Sequence, residues 1–143
     1  MLPPLPMSTP IAPPPRRVLV ADDNAYMRKA LDAVLRAWAF EAVAVHDGPS
    51  ALAAVRELRL HAVVLDIRLP RLDGLEVARR IRADPGSAGL LLIAMTGSSD
   101  ARDRAASLDA GFDHHLVKPV DPELLRALLD GSAASEAADP ADL

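Results

Sequence analysis

The stretch Val18-Leu19-Val20-Ala21-Asp22-Asp23 places two adjacent carboxylates directly after a short apolar run. The same arrangement recurs at Val63-Val64-Leu65-Asp66, where one aspartate follows a second apolar run. Continuous apolar runs of this length are typical of strands that are covered on both faces. In an open α/β sheet, binding sites form at the carboxyl ends of the strands. The two stretches therefore predict a parallel sheet with acidic side chains gathered at one edge.

Apolar runs alternate with helical patterns along the chain. Strands are predicted at Arg17–Ala21, Glu41–Val45, Ala62–Leu65, Leu90–Met95 and His114–Val117. Helices are predicted at Asn24–Trp38, Pro49–Arg59, Leu75–Ala83, Ser99–Ala110 and Asp121–Asp130, from apolar residues at three- and four-residue steps and from cap and turn signals. The second strand partly alternates, so we expect it at an edge. Right-handed crossovers between five βα units predict an α/β fold, a doubly wound parallel sheet with two helices on one face and three on the other.

Size and composition limit the possible functions. The chain has 143 residues, no cysteine and a formal net charge of -4. One domain is expected at this length, and the lack of cysteine excludes a disulfide scaffold and fits a cytoplasmic location. The acidic balance argues against direct nucleic-acid binding. No apolar stretch approaches the roughly 18 residues that a membrane span needs.

The two ends differ in composition from the region between them. Residues 1–15 contain seven of the 13 prolines, which favours a disordered leader or, alternatively, a docking peptide for a proline-recognising partner. Residues 131–143 are rich in Ala, Ser and Asp, and a disordered tail is predicted there. The expected domain therefore spans residues 16–130.

Polar side chains follow four of the five predicted strands. The Asp22-Asp23 pair can bind a divalent cation such as Mg²⁺ or Mn²⁺, although Asp23 could instead cap the following helix. Asp66 precedes no helix, but a lone turn aspartate is common. Thr96 could donate a hydrogen bond to a phosphoryl oxygen, and Lys118 could neutralise the acids or a bound phosphate. Lys118-Pro119 is also a candidate cis peptide bond.

Taken together, these signals resemble the receiver domain of two-component response regulators, over residues 17 to about 130. The resemblance is carried by four stretches that run from Val18 to Asn24, from Val63 to Gly74, from Ile93 to Gly97 and from Gly111 to Pro119. It implies the flavodoxin-like (βα)5 receiver fold with strand order 2-1-3-4-5. It also implies a switch protein rather than a metabolic enzyme.

The resemblance further implies a role for each site residue. Asp66 is expected to be the phosphoacceptor, with Thr96 and Lys118 contacting the phosphoryl group. Asp23 and Asp66 are expected to bind Mg²⁺ together with the main-chain carbonyl of Arg68, and Asp22 is expected to act mainly through water. The implied donor is a phosphohistidine on a histidine kinase or a phosphotransfer protein.

Some positions depart from the family pattern or add to it. His115 stands where many receivers have Phe or Tyr, and we hypothesise that it couples to Thr96 as a switch. Arg68 is expected to flank the approach of water to Asp66. An exposed patch of Tyr26 and Met27, with Val120 nearby, is predicted to dock the phosphohistidine donor; incidental exposure is the alternative.

Three functions are compatible with these residues. The leading one is a phosphorylatable receiver, either stand-alone or excised from a larger protein, that acts on a downstream protein or relays phosphate, as a monomer or a phosphorylation-dependent dimer. The second is a binding module that is never phosphorylated. The third is an aspartyl-phosphate hydrolase, which is disfavoured because Arg68 occupies the position of its second aspartate.

Overall fold

The computed structural model describes residues 16–97 and 101–131. These residues form five strands and five helices that alternate along the chain. The elements are β1 (Arg17–Ala21), α1 (Ala25–Ala37), β2 (Glu41–Val45), α2 (Gly48–Glu57), β3 (Ala62–Asp66), α3 (Gly74–Ala83), β4 (Leu91–Thr96), α4 (Ala101–Ala110), β5 (His114–Val117) and α5 (Pro122–Asp130).

The strands form one parallel sheet in the order β2-β1-β3-β4-β5. This confirms the expected strand order and the edge position of β2. The register places Val20 of β1 beside Val64 of β3, and Asp66 of β3 beside Met95 of β4. Because all five strands are parallel, their carboxyl ends meet at one edge of the sheet.

Helices cover both faces of the sheet, as the apolar runs predict. On one face, α1 and α5 pack against the sheet through buried residues that include Leu31, Leu35, Leu125 and Leu129. On the other face, α2, α3 and α4 contribute residues that include Leu52, Val55, Val77, Ile81 and Ala110. The predicted division into two helices and three is confirmed.

Several predicted bounds differ from those observed. β3 continues through Asp66 and β4 is Leu91–Thr96, one residue later than expected at both ends. The parallel ladder explains the extension, because Ile67 N donates to Met95 O at 3.1 Å and Lys118 N donates to Thr96 O at 2.7 Å. Asp66 and Thr96 are therefore the last residues of their strands and not the first residues of the loops.

α1 and α5 begin one residue later than predicted because Asn24 and Asp121 are caps outside the helices, whereas α2 and α3 begin one residue earlier than predicted, at Gly48 and Gly74. Asn24, Asp47, Asp73 and Asp121 are N-caps whose side chains accept a backbone hydrogen bond from the first turn. Asn24 accepts from Met27 N at 3.2 Å, so the alternative role of Asp23 as the cap of α1 is wrong.

Two glycines allow the loops to approach each other closely. A Cβ on Gly48 would lie 1.9 Å from the carbonyl oxygen of Leu72, which holds the start of α2 against the β3–α3 loop. A Cβ on Gly74 would lie 2.3 Å from the carbonyl oxygen of Asp66. The start of α3 is thereby packed directly on the end of β3.

The predicted leader, the predicted tail beyond Gly131 and the predicted start of the fourth helix at Ser99 lie outside the described residues. Within the described ranges, no helix has the length and apolar character that crossing a membrane requires.

Candidate functional site

The carboxyl edge of the sheet brings acidic and polar residues together. Asp22 follows β1 directly, Asp66 ends β3 and Thr96 ends β4, and all three are buried. Lys118 follows β5, and Asp23 is exposed at the mouth of the same edge. The edge predicted from the strand pattern is therefore occupied by the five side chains that the sequence singled out.

Asp22 is held in place by its own loop. Its Oδ1 accepts a hydrogen bond from Asn24 N at 2.9 Å, and its carbonyl oxygen accepts one from Arg28 Nη1 at 2.8 Å. Its backbone N–H donates to Val45 O at 3.2 Å. The remaining carboxylate oxygen, Oδ2, is thus directed to the centre of the site.

Lys118 joins the two buried carboxylates. Its Nζ lies 2.8 Å from Asp66 Oδ2 and 2.9 Å from Asp22 Oδ2. Burial tends to lower the pKa of Lys118, but the attraction of Asp66 and Asp22 outweighs burial and holds the pKa above its ordinary value of 10.5. The side chain is therefore a permanent cation at neutral pH.

The other oxygen of Asp66 is fixed by the loop that follows β3. Asp66 Oδ1 accepts a hydrogen bond from Arg68 N at 2.8 Å. The Arg68 side chain extends across the site toward α4, where its guanidinium lies 4.0 Å from Asp103 Oδ2 and is largely exposed. Arg68 therefore lies beside Asp66 and reaches α4, and its effect on the approach of water stays a prediction.

The three acids are close enough to share a metal ion. One oxygen from each of Asp22, Asp23 and Asp66 lies within 4.8 Å of the others. Carboxylate oxygens are the hard ligands that Mg²⁺ prefers. Asp23 is exposed and the other two are buried, so the cluster is open to solvent on one side. The donor set fits the predicted magnesium ion.

Thr96 and His115 lie on the same face of neighbouring strands. Thr96 pairs with Val117 and Ala94 pairs with His115, so His115 stands two positions back along β5. Thr96 is fully buried, and His115 is partly buried. His114 points to the opposite face, because successive strand residues alternate. The placement allows the coupling that we hypothesise for His115 and Thr96.

The predicted docking patch is only partly exposed. Tyr26, in the first turn of α1, is 88% exposed. Met27 is instead partly buried and packs with Val120 against the core between the sheet and the α1/α5 layer. The expectation of an exposed Met27 is therefore wrong, because the helix period turns this residue inward beside Leu31.

Sequence reasoning missed two residues that support the site. Asn24 both caps α1 and donates its backbone N–H to Asp22, and Arg28 reaches back six residues to the Asp22 carbonyl. An asparagine directly before a helical pattern is a recognised cap signal, whereas nothing in the sequence indicates the contact of Arg28. The Lys118-Pro119 peptide bond is cis.

Comparison with known proteins agrees with this geometry. The family model described as "Response regulator receiver domain" matches residues 18–130. DNA-binding response regulator MtrA from Mycolicibacterium paratuberculosis is 36% identical over 128 residues, which are 90% of this chain and 56% of the relative. Response regulator MprA from Mycobacterium bovis is 38% identical over 127 residues, 86% of this chain and 54% of the relative. The chain thus spans about half the length of these curated relatives.

Solved structures share the fold of this chain, and one of them contains a metal ion. The receiver domain of sensor histidine kinase PA1611 from Pseudomonas aeruginosa has a magnesium ion coordinated in its active site cleft. It superposes with a TM-score of 0.77 at 31% identity, covering 82% of this chain and 96% of that one. CheY4 from Vibrio cholerae superposes with a TM-score of 0.76 at 24% identity, covering 82% and 98%, and shows the fold alone. With its acidic cluster at the carboxyl edge of a 2-1-3-4-5 sheet, the chain belongs to the response regulator receiver domain family of two-component signalling.

Proposed function

We propose that the chain is a signalling switch in which Asp66 accepts a phosphoryl group from a phosphohistidine on a histidine kinase or a histidine phosphotransfer protein. The observation that carries the proposal is the pair of contacts from Lys118 Nζ to Asp66 and Asp22. A buried aspartate beside a fixed cation is oriented and electrostatically matched for attack on an anionic phosphoryl group.

The transfer forms one bond and breaks one. A carboxylate oxygen of Asp66 attacks phosphorus, the phosphorus–nitrogen bond of the donor breaks, and its electron pair stays on the imidazole nitrogen. The product is an acyl phosphate on Asp66. The ammonium of Lys118 and the hydroxyl of Thr96 donate hydrogen bonds to the phosphoryl oxygens, where negative charge is spread during transfer.

Asp23, Asp66 and the main-chain carbonyl of Arg68 would hold Mg²⁺ directly, with Asp22 acting through water. A divalent cation here supplies positive charge that offsets the phosphoryl oxygens and the clustered carboxylates. The chain's own part is to hold Asp22 by the bonds from Asn24 and Arg28, so that the acids stay together.

The proposal is tested by incubation with acetyl phosphate and Mg²⁺ followed by intact mass measurement. We expect a gain of one phosphoryl group, which is lost in Asp66→Asn and on addition of EDTA. Asp84→Asn is the matched control, because Asp84 is an exposed acid at the end of α3, away from the site. Equal labelling of Asp66→Asn would refute the assignment.

We further propose that His115 and Thr96 form the element that reports phosphorylation. When the Thr96 hydroxyl turns to the phosphoryl group, the space on the shared face between β4 and β5 changes, and the His115 ring can respond. His115→Ala should therefore reduce the difference in partner affinity between the two states. An unchanged difference would exclude His115 from the switch.

We propose that the donor protein docks beside Tyr26, close to Val120. A phosphorylated donor must approach the mouth of the site, and Tyr26 is an exposed aromatic side chain on the helix that follows Asp22 and Asp23. Tyr26→Asp should slow phosphorylation by the kinase without altering labelling by acetyl phosphate. Leu108→Asp, at an exposed apolar residue of α4, is the matched control.

The output is proposed to be binding of a downstream protein or onward relay of the phosphoryl group.

Steady turnover of a generic phosphomonoester would support the hydrolase alternative instead. We expect none, because the side chain two residues after Asp66 is the guanidinium of Arg68, which offers no general acid for the leaving group.

A further inference from the structure

A groove opens at the amino-terminal edge of the sheet, at the end opposite to Asp66. It has a volume of about 480 Å³ and lies between the end of α2, the start of β3 and the loop from α3 to β4. Its apolar lining consists of Val55, Leu58, Leu60 and Leu90. Leu58, Leu60 and Leu90 are only partly buried against the core, so the groove leaves apolar surface uncovered.

The groove also contains polar groups suited to an extended peptide. Arg59, which is exposed, and His61 both line the groove. His61 Nε2 is 2.7 Å from the carbonyl oxygen of Leu129, and the ring stacks on Phe40 with centroids 6.2 Å apart. These contacts fix the ring against the α1/α5 layer, so the donor that the groove offers is the exposed guanidinium of Arg59, which can donate hydrogen bonds to backbone carbonyls.

The chain enters β1 beside this groove. His61 N donates to the carbonyl oxygen of Arg17, the first residue of β1, at 2.7 Å. Neighbouring strands lie about 4.8 Å apart, so Arg17 lies within about one strand spacing of His61 in the groove lining. Because the strands run away from this edge, Arg17 marks the point at which the chain enters the sheet, at the same edge as the groove.

The composition of residues 1–15 matches the groove. The segment contains seven prolines, the apolar residues Leu2, Leu5, Met7 and Ile11, and no charged side chain. Prolines lack an N–H donor, so such a segment leaves its carbonyl oxygens available to donors such as Arg59. Proline-rich segments lose little conformational entropy on docking, because their extended form is already populated in solution.

We propose that residues 1–15 bind in this groove of their own chain. At about 3.1 Å per residue in an extended proline-rich form, residues 8–15 can span about 25 Å, enough to cross the groove from Arg17. The connection gives the segment an effective concentration on the order of millimolar, so even a weak contact is populated. The proposal is independent of phosphorylation at Asp66.

Because the chain has no cysteine, a single nitroxide label on Ser8→Cys tests the proposal in the full-length protein. Paramagnetic broadening should be strong for the amides of Leu58, Gly89 and Leu90. It should be weak for Asp22 and Thr96, which lie at the carboxyl edge, at the opposite end of the strands. Comparable broadening at both edges would mean that the segment has no preferred site, and would overturn the proposal.

A groove-filling variant gives the matched comparison. A Cβ on Gly89 would meet nothing within 4 Å, so both Gly89→Trp and Gly89→Ala fit the fold. Gly89→Trp should abolish the asymmetric broadening by occupying the groove, whereas Gly89→Ala should retain it. Persistence of the asymmetry in Gly89→Trp would contradict docking in this groove.

A mixing experiment identifies whose segment binds. Isotope-labelled chains without nitroxide are mixed with unlabelled chains that carry it at Ser8→Cys. We expect no broadening at Leu58 or Leu90 in the mixture, because each segment fills its own groove. Broadening in the mixture would show docking between two copies and would overturn the intrachain proposal.

Discussion

The ammonium nitrogen of Lys118 lies 2.8 Å from Oδ2 of Asp66, although the two residues are 52 positions apart in the chain. The contact joins β5 to β3 across β4, whose last residue, Thr96, accepts a hydrogen bond from the backbone of Lys118. The same ammonium lies 2.9 Å from Asp22 Oδ2, so one cation balances two buried carboxylates.

Loss of this cation should disable the phosphorylation chemistry. In Lys118→Ala, we expect phosphorylation of Asp66 to slow by about 10²–10³-fold, as for removal of one donor that stabilises a transition-state oxyanion. The measurement is the rate of mass gain with acetyl phosphate and Mg²⁺. Lys29→Ala is the control, because Lys29 is the chain's other lysine and is exposed on α1. A rate within twofold of wild type for Lys118→Ala would show that the Lys118 ammonium does not assist phosphorylation.

The raised pKa of Lys118 predicts a specific pH dependence of stability. A lysine whose pKa is higher in the folded state stabilises the fold fully below the unfolded value of 10.5, and loses that contribution as pH rises through the folded pKa. The difference in free energy of unfolding between wild type and Lys118→Met should therefore be constant from pH 7 to about 10 and shrink above 10.5. Urea unfolding in EDTA at several pH values measures it; a difference that grows with pH would contradict the assignment.

Arg68 should affect the lifetime of the phosphoryl group more than it affects stability. Its ion pair with Asp103 is long and largely exposed, and such pairs contribute only about 0–1 kcal/mol. Arg68→Ala should leave the urea midpoint almost unchanged but speed hydrolysis of the acyl phosphate, because a long side chain no longer flanks the approach of water. Phosphate release after removal of the donor measures the lifetime. Slower release from Arg68→Ala would show that the guanidinium promotes hydrolysis instead of shielding the site.

The close approach of Gly74 to the backbone of Asp66 connects the packing of α3 to the geometry of the site. Because a Cβ would lie 2.3 Å from the Asp66 carbonyl oxygen, Gly74→Ala must displace either α3 or the end of β3. We expect a loss of about 1–3 kcal/mol in unfolding free energy, as for other overpacked sites, together with slower phosphorylation. Gly89→Ala, where the added Cβ meets open space, should be neutral in both measurements. A wild-type unfolding free energy and phosphorylation rate in Gly74→Ala would show that α3 and the end of β3 can separate without cost.

Much of the architecture could be predicted because the apolar runs are unambiguous. The runs ending at Ala21 and Leu65 predict buried strands, and each polar residue that follows must then lie at the carboxyl edge. The strand ends at Asp66 and Thr96 were less predictable, because a polar residue that continues a parallel ladder looks the same in sequence as one that leaves it. The sequence also gave no indication of the Arg28 contact, which depends on the three-dimensional path of α1 relative to Asp22.

The burial of Met27 was likewise difficult to predict from the sequence. The residue lies near the start of a helix whose apolar stripe includes Leu31 and Leu35, and the stripe faces the sheet. Tyr26, one position earlier, falls on the outer face and is exposed. The difference between these neighbours follows from helix geometry, but the first turn is where the period is hardest to assign from sequence.

The most direct test of the central claim is chemical identification of the phosphorylated residue. After reaction with acetyl phosphate and Mg²⁺, borohydride reduction converts an aspartyl phosphate to homoserine, which peptide mass spectrometry can locate. The account predicts homoserine at position 66 alone, dependent on the divalent cation and much reduced in Lys118→Ala. Homoserine at another acid, or none at position 66 under conditions where an established receiver is fully modified, would contradict it.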